Sequence, residues 1–246
     1  MPSSLVIAAA QPECLPYDVA ANAAAHAAAV RAADARVVVF PEMSLTGYHL
    51  DAPVVGPDDP RLAPIVAACA ETGTIALAGA PTPGSTATGS TATGGTATGE
   101  PWIGVLAIDG SGARVVYGKV CLHGTEAERF GPGEPAVIEV DGWRLGLAVC
   151  RDTGIPEHAR RTAELGIDAY LAGVVHHDHE AHVHGERARR VAADHRVPVV
   201  TAAFAGGTGG GFDRTSGGSG IWSADGDVLA QAGVAPGEFA RAVLTR

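Results

Sequence analysis

The chain has 246 residues, 46% of them hydrophobic and 18% charged, which is enough apolar surface for a large core and excludes disorder as the default. Its formal net charge of −10 excludes a sequence-independent grip on nucleic acid or on an anionic membrane, both of which need clustered Lys and Arg. The four cysteines (Cys14, Cys69, Cys121, Cys150) stand far apart with no CxxC pair, so neither a disulfide framework nor a zinc knuckle is encoded. They are expected to be reduced thiols of a cytoplasmic protein, since the N-terminus lacks a basic n-region and no stretch nears the roughly 20 apolar residues of a membrane span.

Leu5 to Ala10 is expected as a short buried strand. Asp18 to Ala35 is Ala-rich and predicts a helix packed closely on something flat. Val37 to Phe40 is an unbroken apolar run, the pattern of a strand covered on both faces, and it ends in Pro41-Glu42. A helix over Arg61 to Glu71, stopped by Gly73, precedes a strand over Thr74 to Ala80. Residues 82–99, a near-repeat of Thr-Ala-Thr-Gly, cannot pack a core and are expected as a flexible surface loop.

Trp102 to Ile108 and Arg114 to Tyr117 form a predicted hairpin around Asp109 to Gly112, with Lys119 at its end. A second hairpin joins Ala136–Val140 to Trp143–Val149 and ends abruptly at Cys150. After a polar elbow, Pro156 and Glu157 open a helix running to Leu165. A strand (Asp168 to Val174), a His-rich loop, a helix (Gly185 to Arg196) and a strand (Val199 to Phe204) follow. The Gly-rich loop 206–220 leads into closing strands at Ile221–Ser223, Val228–Gln231 and Phe239–Leu244. The order implies a mixed α/β fold: two sheets with helices on their outer faces, in one domain over residues 1–246.

Glu42, Lys119 and Cys150 each lie just beyond a strand, and strand ends on one rim of a sheet converge where enzyme sites commonly sit. A carboxylate, an ammonium and a thiol form a workable set. The acid can take the thiol proton and return it to a leaving amine, while the ammonium neutralises an oxyanion. Singly, each has a plain explanation: a capping acid, a solvated hairpin end, a packed cysteine.

The stretches VVVFPEMSLTGY (37–48), YGKVCL (117–122) with ERFGPGE (128–134), and LGLAVCRDTGIPEHAR (145–160) resemble, in order and spacing, the three motifs of the nitrilase superfamily, the carbon–nitrogen hydrolases with a Glu-Lys-Cys triad. The resemblance implies an α-β-β-α four-layer sandwich that pairs into a homodimer, a small-molecule amide or nitrile substrate, and no metal or cofactor. It implies Glu42 as general base, Lys119 as oxyanion stabiliser and Cys150 as nucleophile. The family often has a further acid four residues before the aromatic of such a stretch, so the resemblance implies Glu126, counted back from Phe130, with Glu128 as the alternative.

Three more residues are expected at the substrate. Arg151, where the family often has an aromatic, is suited to a substrate carboxylate or else to pairing with Asp152 or Glu157. Tyr48 lines the pocket in relatives but equally suits a packed core. In the family the segment after the strand over Asp168 to Val174 borders the active site, so the resemblance implies His176 at the pocket, whereas His179, His182 and His184 are expected as solvated histidines. Metal-ligand spacing among these histidines is a lesser reading. The activity expected is that of an amidase on a small non-peptide amide. A nitrile hydrolase, an N-carbamoyl hydrolase and a catalytically silent binding module are the alternatives.

Overall fold

A computed structural model describes residues 4–84 and 99–246; most of the Thr/Ala/Gly repeat expected as a surface loop lies outside the described residues. The strands are β1 (Ser4–Ala10), β2 (Val37–Val39), β3 (Ile75–Thr82), β4 (Trp102–Asp109), β5 (Gly112–Gly118), β6 (Val137–Val140), β7 (Trp143–Val149), β8 (Ala169–Val174), β9 (Val199–Ala203), β10 (Ala205–Gly206), β11 (Thr215–Ser216), β12 (Gly220–Trp222), β13 (Val228–Gln231) and β14 (Phe239–Thr245). The helices are α1 (Val19–Ala33), α2 (Ala63–Thr72), a single turn α3 (Arg151–Gly154), α4 (Pro156–Glu164) and α5 (Ala181–His195).

Two six-stranded sheets, ordered β14-β1-β2-β3-β4-β5 and β13-β12-β9-β8-β7-β6, face each other. In each, a parallel trio (β1-β2-β3 and β7-β8-β9) is flanked by antiparallel strands. Period-2 side-chain alternation divides the core into layers. Leu5, Ile7, Val37, Val39 and Leu77 point into the space between the sheets, where they meet Trp143, Leu147 and Leu171. The intervening Ala8, Ala10, Val38, Ala76 and Ala78 point outward against α1 and α2. Alanine on both the sheet and α1 lets helix and strands approach closely, which explains the composition of that helix. Helices α4 and α5 cover the other sheet through Ala159, Ala188, Val191 and Ala192. The result is the expected α-β-β-α sandwich.

Helix starts differ from expectation in two places. Residues Pro60–Leu62 form a 3-10 turn ahead of α2, capped by Asp59, whose Oδ1 accepts from Arg61 N at 2.9 Å. Helix α5 begins at Ala181 rather than Gly185. A 3-10 turn at Asp178–Glu180 precedes it, with the Glu180 carboxylate accepting from His177 N at 3.1 Å. The run of histidines hid this start, because it carries no apolar period.

Two glycines position the turn after β2. A Cβ on Gly79 of β3 would stand 2.4 Å from Met43 N, and one on Gly173 of β8 would stand 2.6 Å from Phe40 O and 2.9 Å from Glu42 N. The Phe40–Met43 backbone is therefore wedged between the two sheets, at contact distances that only bare Cα atoms allow. This wedge places Glu42 at the shared rim.

Candidate active site

Glu42 follows β2, Lys119 follows β5 and Cys150 follows β7, so three strand ends from both sheets deliver their side chains to one point. Lys119 is fully buried and its Nζ donates to Glu42 Oε1 at 2.7 Å and to Glu126 Oε1 at 2.6 Å. Glu126 is equally buried, and its Oε1 also accepts from the Tyr48 hydroxyl at 2.6 Å while Oε2 accepts from His123 N at 2.7 Å. Glu42 Oε2 is buried with no hydrogen-bond partner among the described residues. Cys150 sits beside this carboxylate and its thiol donates to Val175 O at 3.4 Å. Its backbone, at φ +40 and ψ −95, occupies a region that non-glycine residues adopt only when the surroundings enforce it.

Two carboxylates around one ammonium leave one negative charge in excess, which sets the proton affinities. Burial raises the Glu42 pKa to about 7; Lys119 pulls it back and Glu126 pushes it up. Burial opposes the Lys119 charge, but Glu42, Cys150 and Glu126 outweigh it and hold the ammonium firmly protonated. Burial and the neighbouring Glu42 push the Cys150 thiol up to about 12, so the resting group is the thiol. Burial also works against the Glu126 charge, yet Lys119, Tyr48 and the His123 amide win and keep its pKa below the ordinary value.

The thiol opens onto a cavity of about 380 Å³, lined among others by Tyr48, His123, Arg151, His176, Arg187 and Phe212. The cavity thus gathers all three of the residues expected at the substrate. Tyr48 is half-buried and packs edge-on against Phe212 at 5.1 Å between ring centroids. Arg151 pairs with neither Asp152 nor Glu157; its Nη1 lies 3.1 Å from His123 Nδ1. Glu157 is taken by Arg160, and Asp152 turns inward. Glu126 rather than Glu128 faces Lys119, while Glu128 is exposed on the same 3-10 turn.

Among the histidines, His179 and His182 are exposed as expected, but His184 is buried and stacks on His176 with ring centroids 5.7 Å apart. It lies on the covered face of α5, whose start at Ala181 comes before the expected Gly185. Among the described residues no group of three or more His, Cys, Asp or Glu side chains is arranged to hold a metal ion. His123, Phe212 and Arg187 carried no signal in the sequence that tied them to the cavity, since each belongs to an ordinary polar or Gly-rich stretch.

Behind Cys150, Asp152 joins the strand ends. Its Oδ1 accepts from Cys121 N at 2.8 Å, and its Oδ2 accepts from Val149 N at 3.0 Å and the Tyr117 hydroxyl at 2.7 Å. This carboxylate links the segment after Lys119 to the segment before Cys150.

The family model for carbon-nitrogen hydrolases matches residues 6–242. A protein described as a hydrolase in the pqqF 5′ region of Pseudomonas protegens is 34% identical over 166 residues, which cover 63% of this chain and 54% of that one. The match thus spans about half the length of that curated relative. Among solved structures, the amidase of Nesterenkonia sp. AN1 superposes with a TM-score of 0.79 at 24% identity, over 98% of this chain and 93% of that one. Nit3 of Saccharomyces cerevisiae, a member of branch 10 of the nitrilase superfamily, superposes at 0.82 and 22% identity, over 100% and 91%. No helix among the described residues is long and apolar enough to cross a membrane. With its sandwich fold and a family match over nearly its whole length, the chain belongs to the carbon–nitrogen hydrolase family.

Proposed function

We propose that the protein is an amidase that hydrolyses a small non-peptide amide through a thioester on Cys150. The observation that carries this reading is the buried Lys119 ammonium, bonded to both Glu42 and Glu126 beside a strained cysteine at a cavity wall. Glu42 is the base: with a pKa near 7 it accepts the Cys150 proton as sulfur bonds to the carbonyl carbon. The carbonyl π pair moves onto oxygen, where the Lys119 ammonium and the Arg151 backbone N–H, a free donor at the start of a helical turn, stabilise it. Collapse breaks the C–N bond, and Glu42 returns the proton to the departing nitrogen. A water then gives a proton to Glu42 and its oxygen to the acyl carbon; the C–S bond breaks and the proton returns to sulfur.

Glu126 keeps Lys119 in place and protonated. The similarity in fold to a solved amidase, that of Nesterenkonia sp. AN1, supports an amide substrate. The test is mass spectrometry of the protein quenched during turnover of a panel of short aliphatic amides. The expected result is an acyl adduct on Cys150, lost together with ammonia release in Cys150→Ala. Full turnover by Cys150→Ala would reject the mechanism.

A further inference from the structure

Helix α5 contributes Arg187 to the cavity wall, where it packs on the turn that follows the reactive thiol. The guanidinium rests on bare backbone: a Cβ at Gly154 would lie 3.1 Å from Arg187 Cζ, 3.2 Å from Nη2 and 3.3 Å from Nε. Its one hydrogen bond among the described residues is long, Nη1 to Thr153 Oγ1 at 3.4 Å, and no carboxylate stands within ion-pair distance. Arg151, on the same cavity, has His123 as its partner and likewise no acid.

Of the arginines away from the cavity, ten hold a carboxylate, among them Arg31, Arg36 and Arg246 at 2.6–2.8 Å. Arg129, Arg144 and Arg190 are held by backbone carbonyls instead. Arg151 and Arg187 are half-buried and have neither among the described residues, in a chain with 27 acids against 17 bases. The acid that also lines the cavity, Glu180, is engaged in capping His177 N. His176 is 5% exposed, lines the same cavity, and leaves both ring nitrogens without a partner among the described residues. Burial lowers its pKa to about 3, so it offers a neutral hydrogen-bonding ring and no further charge.

Resting on the amidase reading, we propose that Arg187, with Arg151 beside it, binds a carboxylate on the substrate, which makes the substrate class amides that carry an anionic end, such as monoamides of short dicarboxylic acids. A guanidinium held flat by Gly154 presents its remaining N–H groups as a fork that matches a carboxylate. A cavity of about 380 Å³ accepts a short chain with an amide at Cys150 and an anion at Arg187.

The experiment compares kcat/KM for succinamate and for butyramide, which carries a methyl group in place of the carboxylate, in the wild type, Arg187→Met and Arg187→Lys. The wild type is expected to prefer succinamate by on the order of 100-fold, the scale of a charge-assisted pair. Arg187→Met is expected to lose at least about 30-fold more on succinamate than on butyramide, chiefly through KM, with Arg187→Lys recovering part of the loss. Equal losses on both amides would mark a merely structural arginine and overturn the inference, as would a wild type without preference.

Calorimetry of succinate binding to Cys150→Ala, with and without Arg187→Met, makes the anion site independent of turnover. Butyramide cleaved but succinate unbound leaves the amidase and removes the anion site. Neither amide cleaved, with succinate bound through Arg187, does the reverse.

Discussion

Two buried polar clusters stand back to back at the same rim of this fold. The first holds Glu42, Lys119, Glu126 and Cys150; the second holds Asp152, Tyr117, His158 and Tyr170. Both are sealed from solvent on the protein side, and both join strand ends of the two sheets. They differ in completeness. In the second, the Tyr117 hydroxyl donates to Asp152, so His158 must donate to it from Nε2 (2.8 Å) and accept from the Tyr170 hydroxyl at Nδ1 (3.0 Å). Every one of those ring and hydroxyl groups is engaged.

The first cluster keeps an idle carboxylate oxygen on Glu42, a Cys150 backbone at positive φ, and a bordering histidine with two free nitrogens. Burying unmatched groups costs stability, and the cluster that tolerates this is the one that opens on the cavity. Completeness marks scaffolding here, and incompleteness marks chemistry.

The largest expected effect breaks the first cluster at its centre. Lys119→Met leaves two carboxylates facing each other without a cation, so stability falls by about 3–5 kcal/mol and turnover is lost. Urea unfolding and an ammonia-release assay read the two losses. Asp152→Asn sharpens the contrast. It sets an amide donor against either Cys121 N–H or the Val149 N–H and Tyr117 hydroxyl pair, which costs about 2–3 kcal/mol. The pH dependence of the remaining activity should keep the wild-type shape, because Glu42 is untouched. A displaced pH profile in Asp152→Asn would merge the two clusters into one functional unit.

The pH profile is itself the next prediction. Glu42 acts deprotonated, so kcat/KM should rise about tenfold per unit below pH 7 and level off above it. The Cys150 thiol, pushed up to about 12, does not supply that inflection. Stability should move the other way. The folded protein holds the Glu42 proton more tightly than the unfolded chain, whose carboxyl titrates near 4.5. That contribution is therefore complete below about pH 4.5 and is lost as pH rises to 7. Glu42→Gln should remove this decline, seen as a flatter plot of unfolding free energy against pH.

Much of this was legible in the chain, and the reasons are specific. Val37–Val39 and Leu145–Val149 are apolar runs that stop at a charged or reactive residue, so Glu42 and Cys150 announce themselves by position. Glu126 was reachable only through the resemblance, which places an acid four residues before Phe130. Whether the Arg151 side chain paired with an acid was open, because sequence does not say that Asp152 turns inward to collect backbone donors. His184 stayed hidden because it lies before the expected helix start, in a histidine-rich stretch without apolar period. Arg187 fell inside the expected helix, but the polar composition around it did not tell which face meets the cavity. The order of elements already implied two sheets with helices on their outer faces, and the resemblance supplied the four-layer stacking.

The smallest effect tests how finely the first cluster is tuned. Glu126 Oε1 accepts from both Lys119 and Tyr48, and these two donors, with the His123 amide, keep the carboxylate charged against burial. Tyr48→Phe removes one donor and leaves the ring against Phe212. Losing a hydrogen bond to a buried charge weakens the hold on Glu126 by about 1.5–3 kcal/mol at most, but Lys119 remains to compensate. Turnover should therefore drop about tenfold or less, with the fold intact. Glu126 starts below the ordinary carboxylate value and keeps Lys119 and the His123 amide, so it stays ionised near pH 7 without Tyr48. The inflection in kcat/KM should therefore stay near pH 7 in Tyr48→Phe. A displaced inflection would mean that Tyr48 acts on Glu42 by a route other than Glu126.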